Sequence, residues 1–81
     1  MTTAEAEAFL AKSARYRVLR PLLGYAANDV LEVVARNYDP HNAAWIWSFR
    51  RVSDGHVADL TGLADDHVPL LAALDTYLAP V

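Results

Sequence analysis

The sequence predicts a small α+β domain, about three helices packed on one antiparallel β-hairpin, in a single unit spanning residues 1–81. Three observations carry this expectation. Apolar residues recur at helical spacing in three separate stretches. The run Ala44-Trp45-Ile46-Trp47-Ser48-Phe49-Arg50-Arg51-Val52 is aromatic and β-branched, as strands prefer. Asp54-Gly55 follows it and is a strong two-residue hairpin signal.

The first helix begins where Thr2 and Glu5 have capping-box spacing, ahead of good helix formers. It is expected over Thr3 to Arg15 and could reach Leu19, before Pro21. Residues 15–19 read equally as a short strand, because Tyr16 and Val18 share a period-2 face. Asn28 is a good N-cap for a second helix over residues 29–37, with Val30, Leu31, Val34 and Tyr38 at helical spacing. Asn37, Asp39-Pro40 and Asn42 mark the loop after it.

In the hairpin, a two-residue Asp54-Gly55 loop sets Val52 opposite Val57, Arg50 opposite Asp59 and Phe49 opposite Leu60. Trp45, Trp47, Phe49, Ala58 and Leu60 then share one face, and Arg50 pairs with Asp59 on the other. Asp65 or Asp66 caps a final helix, with Pro69 in its first turn. Its stripe is His67, Leu70, Leu71, Leu74, Tyr77 and Leu78, closed by Pro80.

The chain has 81 residues, enough for one domain. Hydrophobic residues make up 54%, but fifteen are alanines that bury little area, so the rings have to fill the core. Trp45, Trp47 and Phe49 are therefore read as core or as a dimer contact rather than as a base-stacking platform. No apolar run approaches the ~18–20 residues of a membrane span. The start Met1-Thr2-Thr3-Ala4-Glu5 lacks the features of a signal peptide, and there is no Cys, so a cytoplasmic location is expected.

Motifs for chemistry are missing. His41, His56 and His67 have no helical ligand spacing, and the three glycines lie far apart. None of Ser13, Ser48 and Ser53 has the context of an activated nucleophile. The expectation is a protein that is not an enzyme, with no catalytic residue, metal or cofactor.

The stretch Val57-Ala58-Asp59-Leu60-Thr61-Gly62-Leu63-Ala64-Asp65-Asp66-His67-Val68 resembles the turn of a helix-turn-helix regulator. That resemblance implies an alternative reading, a small DNA-binding transcriptional regulator using residues 57–74. The departure is charge. The would-be recognition helix carries Asp65, Asp66 and Asp75 and no Arg or Lys, which phosphates would repel. Direct nucleic-acid binding is accordingly disfavoured.

Charge is unevenly laid out along a chain of net charge −3. After Val52 every charged residue is an aspartate, and all seven basic residues precede it. Asp54, Asp65, Asp66 and Asp75 are the candidate partner-binding residues, an acidic face for a basic protein surface. In size and acidity the chain resembles small phage-encoded inhibitors of the anti-CRISPR type, a description that antitoxins and immunity proteins share. The likeness rests on no motif and transfers no residue role. It implies docking on the basic, nucleic-acid-binding surface of a partner such as a CRISPR effector complex. A lone hairpin also leaves an open edge without Lys or Pro, so a homodimer on the hairpin or on the aromatic face beside it is expected.

Overall fold

The computed structural model describes residues 1–81 and shows a five-stranded antiparallel sheet with short helices on one face. The chain runs α1 (Thr3–Phe9), β1 (Arg15–Val18), β2 (Val30–Asp39), β3 (Ala44–Arg51) and β4 (Val57–Thr61). A 3₁₀ turn (Asp65–His67), α2 (Val68–Ala72) and α3 (Leu74–Tyr77) then cross over to β5 (Leu78–Pro80). Spatial order is β4-β3-β2-β1-β5. The expected architecture of three helices on a lone hairpin is thus overturned. No helix is long and apolar enough to cross a membrane.

Each departure has a local cause. The capping box forms as expected, with Thr2 and Glu5 exchanging side-chain to backbone hydrogen bonds of 2.9 and 3.2 Å. The helix nevertheless stops at Phe9 instead of running to Arg15 or Leu19. The Tyr16 hydroxyl donates to the Phe9 carbonyl and accepts from the Ala11 amide at 3.1 Å, so it terminates the helix. Residues 15–18 form β1, with Tyr16 and Val18 inward and Arg15 and Arg17 outward.

The second expected helix, 29–37, is the long central strand β2. Its ladder with β3 slips between Val33 and Ala35, a β-bulge. Leu31 and Val33 face the core before it, while Arg36 pairs with Trp47 and Tyr38 with Trp45 after it. Alternation is broken once, and the apolar spacing therefore imitates a helix.

The hairpin exists, but its register is displaced by two residues. Arg50 lies opposite Val57, Phe49 opposite Ala58 and Trp47 opposite Leu60. The loop has four residues, Val52 to Gly55, closed by the Arg51 amide donating to the His56 carbonyl at 2.9 Å. A shift of two keeps every side chain on its face. It does remove the Arg50–Asp59 pair: Arg50 sits 2.7 Å from Glu32 of β2 instead.

The final helix is broken. Residues 65–77 form a 3₁₀ turn and two short helices, and Leu78, expected in the helical stripe, belongs to β5. With 57–61 hydrogen-bonded in a sheet, no helix-turn-helix exists over 57–74. The core lies between the sheet and the helices, from Ala6 and Leu10 through Val18, Leu31, Val33, Trp47, Phe49 and Leu60 to Leu74 and Leu78. The other sheet face is uncovered. Across it Glu32 bridges Arg50 and, at 3.5 Å, Arg15.

Two tests follow from this packing. Trp47 is 1% exposed and Trp47→Ala should cost about 3–5 kcal/mol in a denaturant melt. That is a large share of the roughly 4–12 kcal/mol expected for a chain of this length. The second test uses two loops of equal length. Asp39 pairs with Ala44 across residues 40–43, and the last loop residue, Ala43, has φ +48°, where the β3–β4 loop has Gly55 at φ +79°. A left-handed alanine costs roughly 1–2 kcal/mol, less the entropy that glycine adds to the unfolded chain. Ala43→Gly should therefore stabilise by about 0.5–1 kcal/mol, and Gly55→Ala should destabilise by about 1 kcal/mol.

Candidate functional site

Past the bulge, the helix-facing side of β2 and β3 gathers large polar-edged side chains. Trp45 and Trp47, two residues apart on β3, stack with centroids 6.2 Å apart and planes at 21°. Tyr38 meets Trp45 edge-on at 5.3 Å. The Arg36 guanidinium lies 5.4 Å from the Trp45 ring centre, within cation–π range. Its other contact is Glu7 of α1, at 3.4 Å.

Trp45 and Trp47 border a cleft of about 200 Å³. Trp45 and Trp47 form one wall, Leu63 and Leu71 of the crossover another, and Thr3 and Ala43 contribute to its rim. The backbone shape behind it has identifiable sources. The 40–43 loop is tied by Asp39, whose carboxylate accepts from the His41 amide at 2.9 Å and the Asn42 side chain at 2.8 Å. Those hydrogen bonds hold the Asp39 carboxyl below its usual range. On the crossover side, the Thr61 amide donates to His67 Nδ1 at 3.1 Å, fixing the turn that carries Leu63.

Two polar groups here are short of partners. The Trp47 indole N–H and the Arg36 Nε–H are buried with no hydrogen-bond partner. Leaving such a group unpaired costs about 1–3 kcal/mol. Apolar surface is also left out: Tyr38 is 50% exposed and Leu63 46%.

The residues singled out from sequence are distributed as follows. Trp47 and Phe49 are buried in the core, and Trp45 is half-buried at the cleft. Asp65 and Asp66 are exposed at the start of the 3₁₀ turn, just after Leu63 of the cleft wall. Asp75 is exposed on α3, next to the strand at the other edge of the sheet. Asp54 lies in the β3–β4 loop, at the opposite end of β4 from Asp65 and Asp66. The four carboxylates therefore do not form one patch. Leu63 of the cleft wall, and Arg36 and Tyr38 against the Trp45 ring, were not singled out as site residues. Only the bulge, which leaves no local sequence mark, brings Arg36 and Tyr38 to Trp45.

Asp54 has a structural task. Its carboxylate takes two hydrogen bonds from Arg51, 2.9 Å from Nε and 2.6 Å from Nη2, and another from the His56 amide at 3.0 Å. Arg51 also pairs with Asp29 at 3.1 Å and lies 5.6 Å from the Tyr25 ring centre. The Tyr25 hydroxyl donates to the His56 carbonyl at 2.8 Å. Arg51 and then the His56 amide hold the Asp54 carboxyl far below its ordinary value. No cluster of three or more His, Asp or Glu side chains is placed to hold a metal ion.

No protein-family model matches the sequence, and no curated protein is similar to it. Among solved structures, the chain is similar to an integron cassette protein from the mobile metagenome of Vibrio cholerae. The TM-score is 0.67 at 17% identity, over 91% of this chain and 88% of that one. At that identity the likeness shows the fold alone.

The Arg51 cluster predicts a pH dependence. A depressed folded-state pKa adds stability above the ordinary carboxylate range, and that stability is lost as pH falls toward the depressed value. Urea midpoints of the wild type should drop between about pH 5 and pH 2. Asp54→Asn should lower the neutral-pH midpoint and flatten that drop; an identical acid limb in the variant would contradict it.

Proposed function

We propose that this chain is a non-enzymatic docking module that binds a basic protein segment through the aromatic cleft. The carrying observation is the cleft itself: two stacked indoles and two leucines around about 200 Å³, with the exposed Asp65 and Asp66 following Leu63 of its wall in the chain. Trp, Tyr and Arg dominate protein-binding hot spots because they combine large apolar area with a polar end. Trp45, Tyr38 and Arg36 supply all three within one contact group. The space suits one large apolar side chain of a partner. Asp65 and Asp66 beside Leu63 favour Lys or Arg flanking that anchor, and their charge speeds encounter.

This reading narrows the acidic face expected from sequence to two of its four residues. Asp54 is spent on Arg51, and Asp75 sits away from the cleft. A partner whose nucleic-acid-binding surface supplies the cations would be blocked by such docking, which is the inhibitor form of the proposal.

The test is a titration of short peptides followed by tryptophan emission. One set carries Leu or Phe between Lys and Arg; a matched set carries the same anchor between Asp and Glu. The basic set should bind, weaken with ionic strength, and lose about tenfold in affinity, the equivalent of ~1.4 kcal/mol, on Leu63→Lys. Asp65→Lys with Asp66→Lys should abolish the preference for basic flanks. Equal binding of both sets, or a Leu63→Lys variant that binds like wild type, refutes the proposal.

A further inference from the structure

We infer that β4 is a pairing edge for a second copy of this chain, giving a ten-stranded sheet across a two-fold axis. The inference is independent of the cleft and rests on how the two sheet edges are finished.

The β5 edge is blunted. Val81 donates to the Arg15 carbonyl and Leu19 to the Tyr77 carbonyl, so Tyr77, Ala79 and Val81 turn their backbone toward β1. Only Leu78 and Pro80 face outward, and Pro80 has no N–H to offer.

The β4 edge is finished at one end and open in the middle. The Arg51 to His56 bond sets the alternation, so His56, Ala58 and Leu60 direct their backbone to β3 and Val57, Asp59 and Thr61 direct theirs outward. Thr61 is already satisfied, its amide by His67 Nδ1 and its carbonyl by the Ala64 amide at 3.4 Å. Val57 and Asp59 keep outward N–H and C=O groups. No Lys or Pro guards them, and Val57 is 54% exposed.

One register uses all four groups. A two-fold axis at Ala58 sets Val57 opposite Asp59 of the second copy and Asp59 opposite Val57 of the second copy. Each pair exchanges two backbone hydrogen bonds. Moving the axis to Asp59 would oppose two carboxylates, and moving it to Val57 would leave Asp59 facing the loop.

Charge supports the same register. Asp59 is exposed, and none of the five ion pairs in the chain includes it. On the uncovered face Arg50 is the direct neighbour of Val57. Strands two apart are separated by about 10 Å, a gap that Arg and Asp side chains can span together. Asp59 of the second copy thus extends the row Arg15, Glu32, Arg50 with an opposite charge. The small Ala58 at the axis lets the two helix-bearing faces approach.

The experiment is sedimentation equilibrium over a micromolar concentration series, with amide exchange by NMR on the same samples. Wild type should approach twice the 8.9 kDa of one chain, with slowed exchange at Val57 and Asp59. Asp59→Pro removes an outward N–H that β3 does not use, and should give the single-chain mass with an unchanged circular dichroism spectrum. Asp59→Lys brings a cation beside Arg50 and should also dissociate the pair without touching the backbone. A wild-type mass of one chain throughout, including the case where the edge serves another protein's strand, overturns the inference. So does a dimer that survives either folded variant.

Discussion

The bulge between Val33 and Ala35 decides which side chains of the central strand lie beneath the helices. Strict alternation from Leu31 and Val33 would carry Ala35 and Asn37 onto the covered face. Arg36 and Tyr38 would then project from the uncovered one. With the extra residue absorbed at Val34, Arg36 opposes Trp47 and Tyr38 opposes Trp45. The Trp45 ring gains an edge-on and a cationic neighbour, and α1 gains an ion pair to the sheet through Glu7. The half of the core on the other side of the bulge, around Leu31 and Phe49, is indifferent to this choice. The bulge therefore sets the neighbours of the Trp45 ring while leaving the packing around Leu31 and Phe49 as it is.

The two ends of β3 show how stability and binding potential are divided. At the Arg51 end, Asp29, Asp54, Tyr25 and the His56 backbone satisfy one another in a closed set of hydrogen bonds. At the Trp45 end, an indole N–H and a guanidinium N–H are buried unpaired, a left-handed alanine sits on the rim, and apolar rings reach the surface. Left-handed non-glycine residues also occur at Ser13, Leu23 and Asn28, but the buried side-chain N–H groups without a partner are confined to this end, and they are what marks it as a candidate site.

What the residues revealed in advance was what depends on neighbours in sequence. The Thr2–Glu5 capping box, the strand content of Ala44–Arg51 and Val57–Thr61, and the division of their faces could all be read locally. The faces survived an error of two in the register because side chains repeat every two residues. The architecture could not be read this way. In β2 the bulge shifts apolar positions from one parity to the other, and Val30, Leu31, Val34 and Tyr38 then mimic a 3.6-residue period. β1 is four residues long, too short for periodicity to separate helix from strand. β5 is a strand because β1 offers it an edge, and Leu78 fits a helical stripe just as well. The surroundings of Trp45 needed the bulge and the crossover together, so Trp45 was visible while Arg36 and Tyr38 against its ring and Leu63 across the cleft were not.

The crossover has a kinetic consequence. β2, β3 and β4 are joined by four-residue loops and can zip by short loop closures. β1 is different: its second neighbour is β5, and Val18 pairs with Leu78 near the far end of the chain. That contact joins residues far apart in the 81-residue chain, and non-local pairing of this kind slows folding. Leu63 and Leu71 ride on the segment that travels. A partly folded chain with its meander complete would hold Trp45 and Trp47 as a bare aromatic surface. The walled cleft is complete only when the segment leading to β5 has docked, so a binding signal from the cleft reports a folded crossover.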